Sequence, residues 1–229
     1  MLPDCVEIAT APKPEAAVIW LHGLGADGHD FEPLVPALHS FLPCAVRFVF
    51  PHAPVRAVTI NSGMPMRAWY DIVAFDRHAP QDLAGIRQSA AAIQALIGRE
   101  TARGIDTSRI ILAGFSQGGA MILHTGVRLA APVAGLLALS CYLLESARLA
   151  ECQPPSARAP VFLAHGEADE VLPLAYGEQA RDALLAAGYQ VEWHRYRVGH
   201  GVAPEEIDDI GRWLRRRLAR AERPQARSH

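Results

Sequence analysis

Short apolar, β-branched runs alternate along this chain with longer stretches of helical period, and this alternation limits the fold more than any other feature. The runs are Ala17–Leu21, Val46–Phe50, Arg109–Ala113, Val133–Leu139 and Pro160–Ala164, followed by the more polar Gln190–Arg197. Near-continuous apolar strands of this kind are expected where a sheet is covered on both faces. Between them, Leu83, Ile86, Ala90, Ile93 and Ile97 mark one helical face, with Asp82 near its start and Gly104 beyond its end. Further helices are expected over Ser116–Leu129, Leu174–Ala187 and Pro204–Ala219. The expected fold class is therefore α/β, a single domain with a mainly parallel central sheet and helices on both faces. Its core is expected over about residues 17–219, with 220–229 as a flexible tail. The Pro-rich patches Pro3–Pro14 and Gln153–Pro160 read as surface connections.

Composition narrows the function classes. The chain has 229 residues, 50 % hydrophobic and 20 % charged, so disorder is excluded. A chain of this size buries about three quarters of its unfolded surface, enough for one substantial core. A formal net charge of −2 excludes a polyelectrolyte grip on nucleic acid. Two uncharged stretches invite a membrane reading. Ile110–Val127 carries Ser116, Gln117 and His124, and Leu129–Leu144 is short and broken by Pro132, so no integral membrane association is expected. Cys5, Cys44, Cys141 and Cys152 show neither CxxC pairing nor histidines at zinc spacing, so no metal site is expected. With no basic and apolar leader at the start, a reduced, cytoplasmic chain is the expectation. The arginines Arg212, Arg215, Arg216, Arg217 and Arg220 suit either an anionic membrane surface or a solvated helix end, and the second reading is preferred.

Gly114-Phe115-Ser116-Gln117-Gly118 fits G-x-S-x-G. It follows an expected strand and opens an expected helix, the context in which this pattern exposes a nucleophilic serine. Such a turn strains the serine backbone, and only small neighbours avoid a clash, which Gly114, Gly118 and Gly119 provide. The competing reading is a Gly-rich turn without chemistry. A serine hydroxyl needs a base and the base an orienting acid. Of ten histidines, His200 lies between the last strand and the last helix, on a loop at the carboxyl edge of the sheet. Asp169 follows the preceding strand and should reach the same edge, with Glu167 and Glu170 as competing acids. His194 sits within a strand, whereas His22, His52 and His165 stand at strand ends in structural roles. The order Ser116, Asp169, His200 is that of α/β-hydrolases. For the oxyanion hole, the expected donors are the backbone N–H groups of Gln117 and of Leu24. Leu24 lies in the Gly-rich loop His22–Gly28, whose Gly23, Gly25 and Gly28 are followed by no lysine, and this loop is not read as a nucleotide cradle.

Taken together, these segments resemble the acyl-protein thioesterase / carboxylesterase family, also described as phospholipase/carboxylesterase. The resemblance rests on His22–Gly28, Phe50-Pro51-His52-Ala53-Pro54, Arg67-Ala68-Trp69-Tyr70-Asp71, Gly114–Gly119, His165-Gly166 through Asp169, and Gly199-His200. It implies a compact α/β-hydrolase without a large cap domain, with Ser116, His200 and Asp169 as catalytic triad and Leu24 and Gln117 as oxyanion donors. It implies a small-molecule ester or acylated substrate, including thioesters and lysophospholipids, and no cofactor or metal. Met64, Met66, Trp69 and Leu172 are the candidate substrate-binding residues around an acyl channel, with ordinary loop packing as the competing reading. A homodimer is an open option. The rival functions are a serine peptidase on the same fold, for which no propeller or cap is evident, and a non-catalytic protein built on a hydrolase fold.

Overall fold

A computed structural model describes residues 2–74, 80–152 and 159–219. The expected strands are present within two residues of the bounds read from the sequence: β2 (Ala16–Leu21), β3 (Val46–Pro51), β6 (Ile110–Phe115), β7 (Gly135–Leu139), β8 (Val161–Gly166) and β9 (Val191–Tyr196). Three strands were not expected. β1 (Cys5–Ala9) lies inside the patch read as a surface connection, and β4 (Val55–Val58) and β5 (Met64–Arg67) form a separate antiparallel hairpin. The seven-stranded sheet has the order β1-β3-β2-β6-β7-β8-β9. It is parallel except at β1, which runs antiparallel along β3 from Cys5 opposite Pro51 to Ala9 opposite Arg47. β1 is only partly covered, so its sequence carries no sustained apolar pattern.

Every residue of β2 is buried, because helices cover both faces. Ala17, Ile19 and Leu21 join the core beneath α2 (Leu83–Ala102), α3 (Gln117–Gly126) and α4 (Leu174–Ala186). Val18 and Trp20 point the other way, into the core beneath α1 (Val35–His39) and α5 (Pro204–Leu218). Asp82 caps α2 by accepting from Gly85 N at 2.9 Å. Glu100 near the end of α2 is fully buried, and it ties that helix to the sheet by accepting from Arg47 of β3 at 2.7 Å and from Arg103 at 3.0 Å.

α3 ends three residues before the expected Leu129, and Arg128 donates to His124 O at 2.9 Å over its final turn. On α5, Arg212 pairs with Asp209 at 2.6 Å and Arg216 with Glu192 at 2.7 Å. Most of Gln153–Pro160, the expected tail 220–229 and Arg220 lie outside the described residues. Among the described residues no helix is long and apolar enough to cross a membrane, and no cluster of three His, Cys, Asp or Glu is placed to hold a metal ion.

Candidate active site

The strand–turn–helix at Ser116 is tighter than the sequence suggested. β6 runs on to Phe115 and α3 begins at Gln117, leaving Ser116 alone as the turn, with φ 54° and ψ −119°. A serine in this conformation is strained, and its neighbours hold it there. Ser116 N donates to Leu139 O at the end of β7 (2.8 Å), and Ser116 O accepts from Ala120 N (3.0 Å). A Cβ on Gly114 would lie 2.5 Å from Gly118 C and O, and one on Gly118 would lie 2.4 Å from Leu21 O. The two glycines let α3 start against the ends of β2 and β6.

Parallel strands deliver the partners to the same edge. His200, on the loop between β9 and α5, places Nε2 3.0 Å from Ser116 Oγ and Nδ1 2.7 Å from Asp169 Oδ2. Asp169, after β8, has a fully buried side chain whose Oδ1 accepts from Val171 N (3.0 Å) and Leu172 N (2.7 Å). With this carboxylate on Nδ1, the ring proton belongs there and the Nε2 lone pair faces the serine. Glu167 is at the surface 3.8 Å from Arg195, and Glu170 is exposed, so neither competing acid is the carboxylate that meets His200. His165 donates Nε2–H to Leu172 O at 2.8 Å, pinning the Asp169 turn, and burial lowers its pKa. His194 stacks on Phe162 within the sheet. Cys141 is buried against Gly119, and burial pushes its thiol pKa far up, so it takes no part as a nucleophile.

The loop His22–Gly28 lies alongside the serine, so that a Cβ on Gly23 would be 3.5 Å from Ser116 Cβ. Burial holds His22 at a pKa of about 4, hence neutral. Its Nε2 accepts from Ala53 N (3.0 Å) and its Nδ1–H donates to Gly23 O (2.7 Å). Gly28 N donates to His52 Nδ1 (3.0 Å) and Gly25 N to Arg67 O (2.9 Å). The Pro51–Pro54 and Arg67–Asp71 segments thus brace the loop from outside. Leu24 N and Gln117 N have no acceptor among the described residues, the latter because it opens a helix.

The side chain of Gln117 is a structural member that no sequence pattern marks. Its Oε1 accepts from Trp69 N (2.8 Å) and its Nε2 donates to Tyr70 O (2.7 Å). Trp69 Nε1 in turn donates to His22 O (3.0 Å). Trp69 is 1 % exposed, it is not on the cavity wall described below, and its polar groups are engaged by Gln117, His22 and Ser89.

A cavity of about 180 Å³ is lined by Tyr70, Ile72, Tyr142, Leu144, Leu172 and Tyr176, among others, and Ser116, Asp169 and His200 are not on its wall. Leu172, whose N–H binds Asp169, lies on its wall, but Met64 and Met66 do not. Met64 is 59 % exposed on β5, and Met66 Sδ accepts from the Asn61 amide at 3.2 Å.

Glu206, in the first turn of α5, is buried and accepts from Ala203 N at 3.2 Å, just beyond the His200 loop. Burial raises its pKa from 4.5 to about 7. A carboxyl that binds its proton more tightly when folded adds stability below about pH 4.5, and that contribution is lost as pH rises through 7. Glu206→Gln is expected to unfold at a higher urea midpoint than the parent at pH 8, by up to about 3 kcal/mol, and to match it near pH 4.5. Parallel stability–pH curves for the two proteins would count against this assignment.

Fold and site together define the class: an α/β-hydrolase with its serine on the turn after the central strand. The chain belongs to the phospholipase/carboxylesterase family, which it matches over residues 3–218. It is 40 % identical over 221 residues to acyl-protein thioesterase 1 of Neurospora crassa, covering 92 % of this chain and 90 % of that protein. It is likewise 40 % identical over 218 residues to acyl-protein thioesterase 1 of Mycosarcoma maydis, covering 88 % and 91 %. Among solved structures, Zea mays acyl-protein thioesterase 2 superposes with a TM-score of 0.83 at 27 % identity, over 95 % of this chain and 100 % of that one.

Proposed function

We propose that this protein hydrolyses carboxylic esters and thioesters of acylated substrates by two-step acyl transfer at Ser116. The observation that carries this reading is the continuous chain from Ser116 Oγ to His200 (3.0 Å) to the buried Asp169 (2.7 Å). His200 Nε2 takes the serine proton as Oγ bonds to the substrate carbonyl carbon. The resulting oxyanion is held by the N–H groups of Leu24 and Gln117. As the carbon–oxygen or carbon–sulfur bond breaks, His200 returns its proton to the leaving alcohol or thiol. Water then attacks the acyl-serine, His200 accepts a proton from it, and the acid departs as that proton returns to Oγ. Asp169 remains ionised and holds the imidazole tautomer throughout.

The acyl chain extends from Ser116 toward the cavity between Leu172 and the Tyr70–Tyr142 wall, whose residues are tied to the site by the Gln117–Tyr70 and Leu172–Asp169 hydrogen bonds. The names of the relatives point to thioesters on proteins, and the four free cysteines suit a reducing, cytoplasmic setting. A p-nitrophenyl alkylphosphonate provides the test. Stoichiometric release of p-nitrophenol with a phosphonyl adduct mapped to the Ser116 peptide is expected, and it should be absent from Ser116→Ala. Labelling that persists in the alanine variant would defeat the assignment.

A further inference from the structure

Two tyrosines from distant parts of the chain meet in the wall of the cavity. Tyr70 follows β5 and Tyr142 follows β7, and their hydroxyl oxygens are 2.6 Å apart. Burial raises the pKa of both phenols, that of Tyr142 to about 12, so both oxygens stay protonated at any working pH. Two protons therefore serve one hydrogen bond. Whichever hydroxyl donates to the other, a second O–H remains, and neither tyrosine hydroxyl reaches another acceptor among the described residues. The surrounding wall is mixed, with Ile72, Leu144, Leu172 and Ala180 beside the polar Gln81 and Gln179. A ligand that supplies an acceptor at the right depth can take this O–H in place of water, whereas a hydrocarbon displaces the water and leaves the donor unanswered.

The wall that carries the pair is tied to the candidate site by two hydrogen bonds. Tyr70 O accepts from the side chain of Gln117, next to Ser116, and Leu172 across the cavity donates its N–H to Asp169. We propose that this cavity selects acyl groups bearing an oxygen acceptor partway along the chain, such as an ether, keto or hydroxyl oxygen, bound by the spare hydroxyl proton of the Tyr70–Tyr142 pair. The proposal rests on the hydrolase reading above and adds the substrate class to it. A purely hydrocarbon chain fills the same space but leaves the donor unanswered, whereas an oxygen at the right depth answers it.

The test uses p-nitrophenyl octanoate and a set of isosteric esters in which one chain methylene at a time, beyond the two next to the carbonyl, is replaced by an ether oxygen. kcat/KM is measured for each ester with the parent protein and with the double variant Tyr70→Phe/Tyr142→Phe. The parent is expected to favour one oxygen position over its neighbours by about fivefold, the worth of one buried hydrogen bond. In the double variant that preference should vanish, leaving the ethers slower than the octanoate. Each comparison is a ratio within one protein, so a change in overall activity does not disturb it. If the double variant does not fold, the single variants Tyr70→Phe and Tyr142→Phe carry the comparison, since each removes one of the two protons and should reduce the preference. A scan with no favoured position, or a preference unchanged in the variant, overturns this inference while leaving the hydrolase reading intact. Failure to hydrolyse any of the esters overturns both.

Discussion

Exchange of Asp169 for asparagine is expected to lower kcat by about 10⁴-fold while KM and the folded structure change little. The fold survives because an amide oxygen can still accept from Val171 N and Leu172 N, as Oδ1 does now at 3.0 and 2.7 Å. The amide nitrogen then takes the place of Oδ2, 2.7 Å from His200 Nδ1. It donates where the carboxylate accepted, so the ring proton moves to Nε2 and faces Ser116 Oγ. A histidine in that tautomer cannot take the serine proton. Asp169 meets no substrate, which leaves KM unaffected. The check is kcat on a p-nitrophenyl ester beside a urea unfolding curve. A loss of less than about tenfold would remove Asp169 as the orienting acid.

The second large effect is expected from Gly118→Ala. The added methyl would fall 2.4 Å from Leu21 O and 2.6 Å from His22 O. Both are backbone atoms at the end of β2, a strand paired on both sides by β3 and β6, so the strand cannot yield. α3 has to move instead, taking Ser116 and Gln117 away from the loop that carries Leu24. A misplacement near 1 Å at reacting groups costs about 10²-fold in rate, and overpacking of this kind costs about 2 kcal/mol of stability. Gly98→Ala is the control. It lies within α2 with nothing within 4 Å of the added carbon, and it should raise stability by about 0.5–1 kcal/mol without touching kcat/KM. Equal kcat/KM for Gly118→Ala and the parent would show that the close contact at Leu21 is not a constraint on the site.

The reach of the sequence is uneven across the molecule, for identifiable reasons. β2, β3 and β6 to β9 are legible because burial on both faces turns each into a short apolar run. The edge strand β1 and the hairpin β4–β5 are exposed or half-covered, so their residues answer to no single pattern. The turn at Ser116 can be read because its steric demand falls on Gly114 and Gly118, within two residues of the serine. Asp169 and His200 can be placed because consecutive parallel strands bring the loops after them to one edge. Glu167 and Glu170 stay open in the sequence, and only the fold of the turn at Gly166–Leu172 separates them from Asp169.

The cavity is a different matter. Its wall combines the segment after β5, the segment after β7, the turn before α4 and α4 itself, and no window of sequence contains their contact. Trp69 resembles a pocket aromatic in sequence, yet its backbone and indole are engaged by Gln117 and His22. The sequence by itself determined the strand–helix alternation, the strained serine and the chain order of Ser116, Asp169 and His200, because each is imposed by sterics or burial acting over a few neighbouring residues. Only the tertiary structure decided that Gln117 braces Trp69, that Met64 stands away from the cavity, and that Tyr70 and Tyr142 share a hydrogen bond. Those outcomes depend on how segments some 50 to 70 residues apart are packed, and such packing has no signature in local pattern.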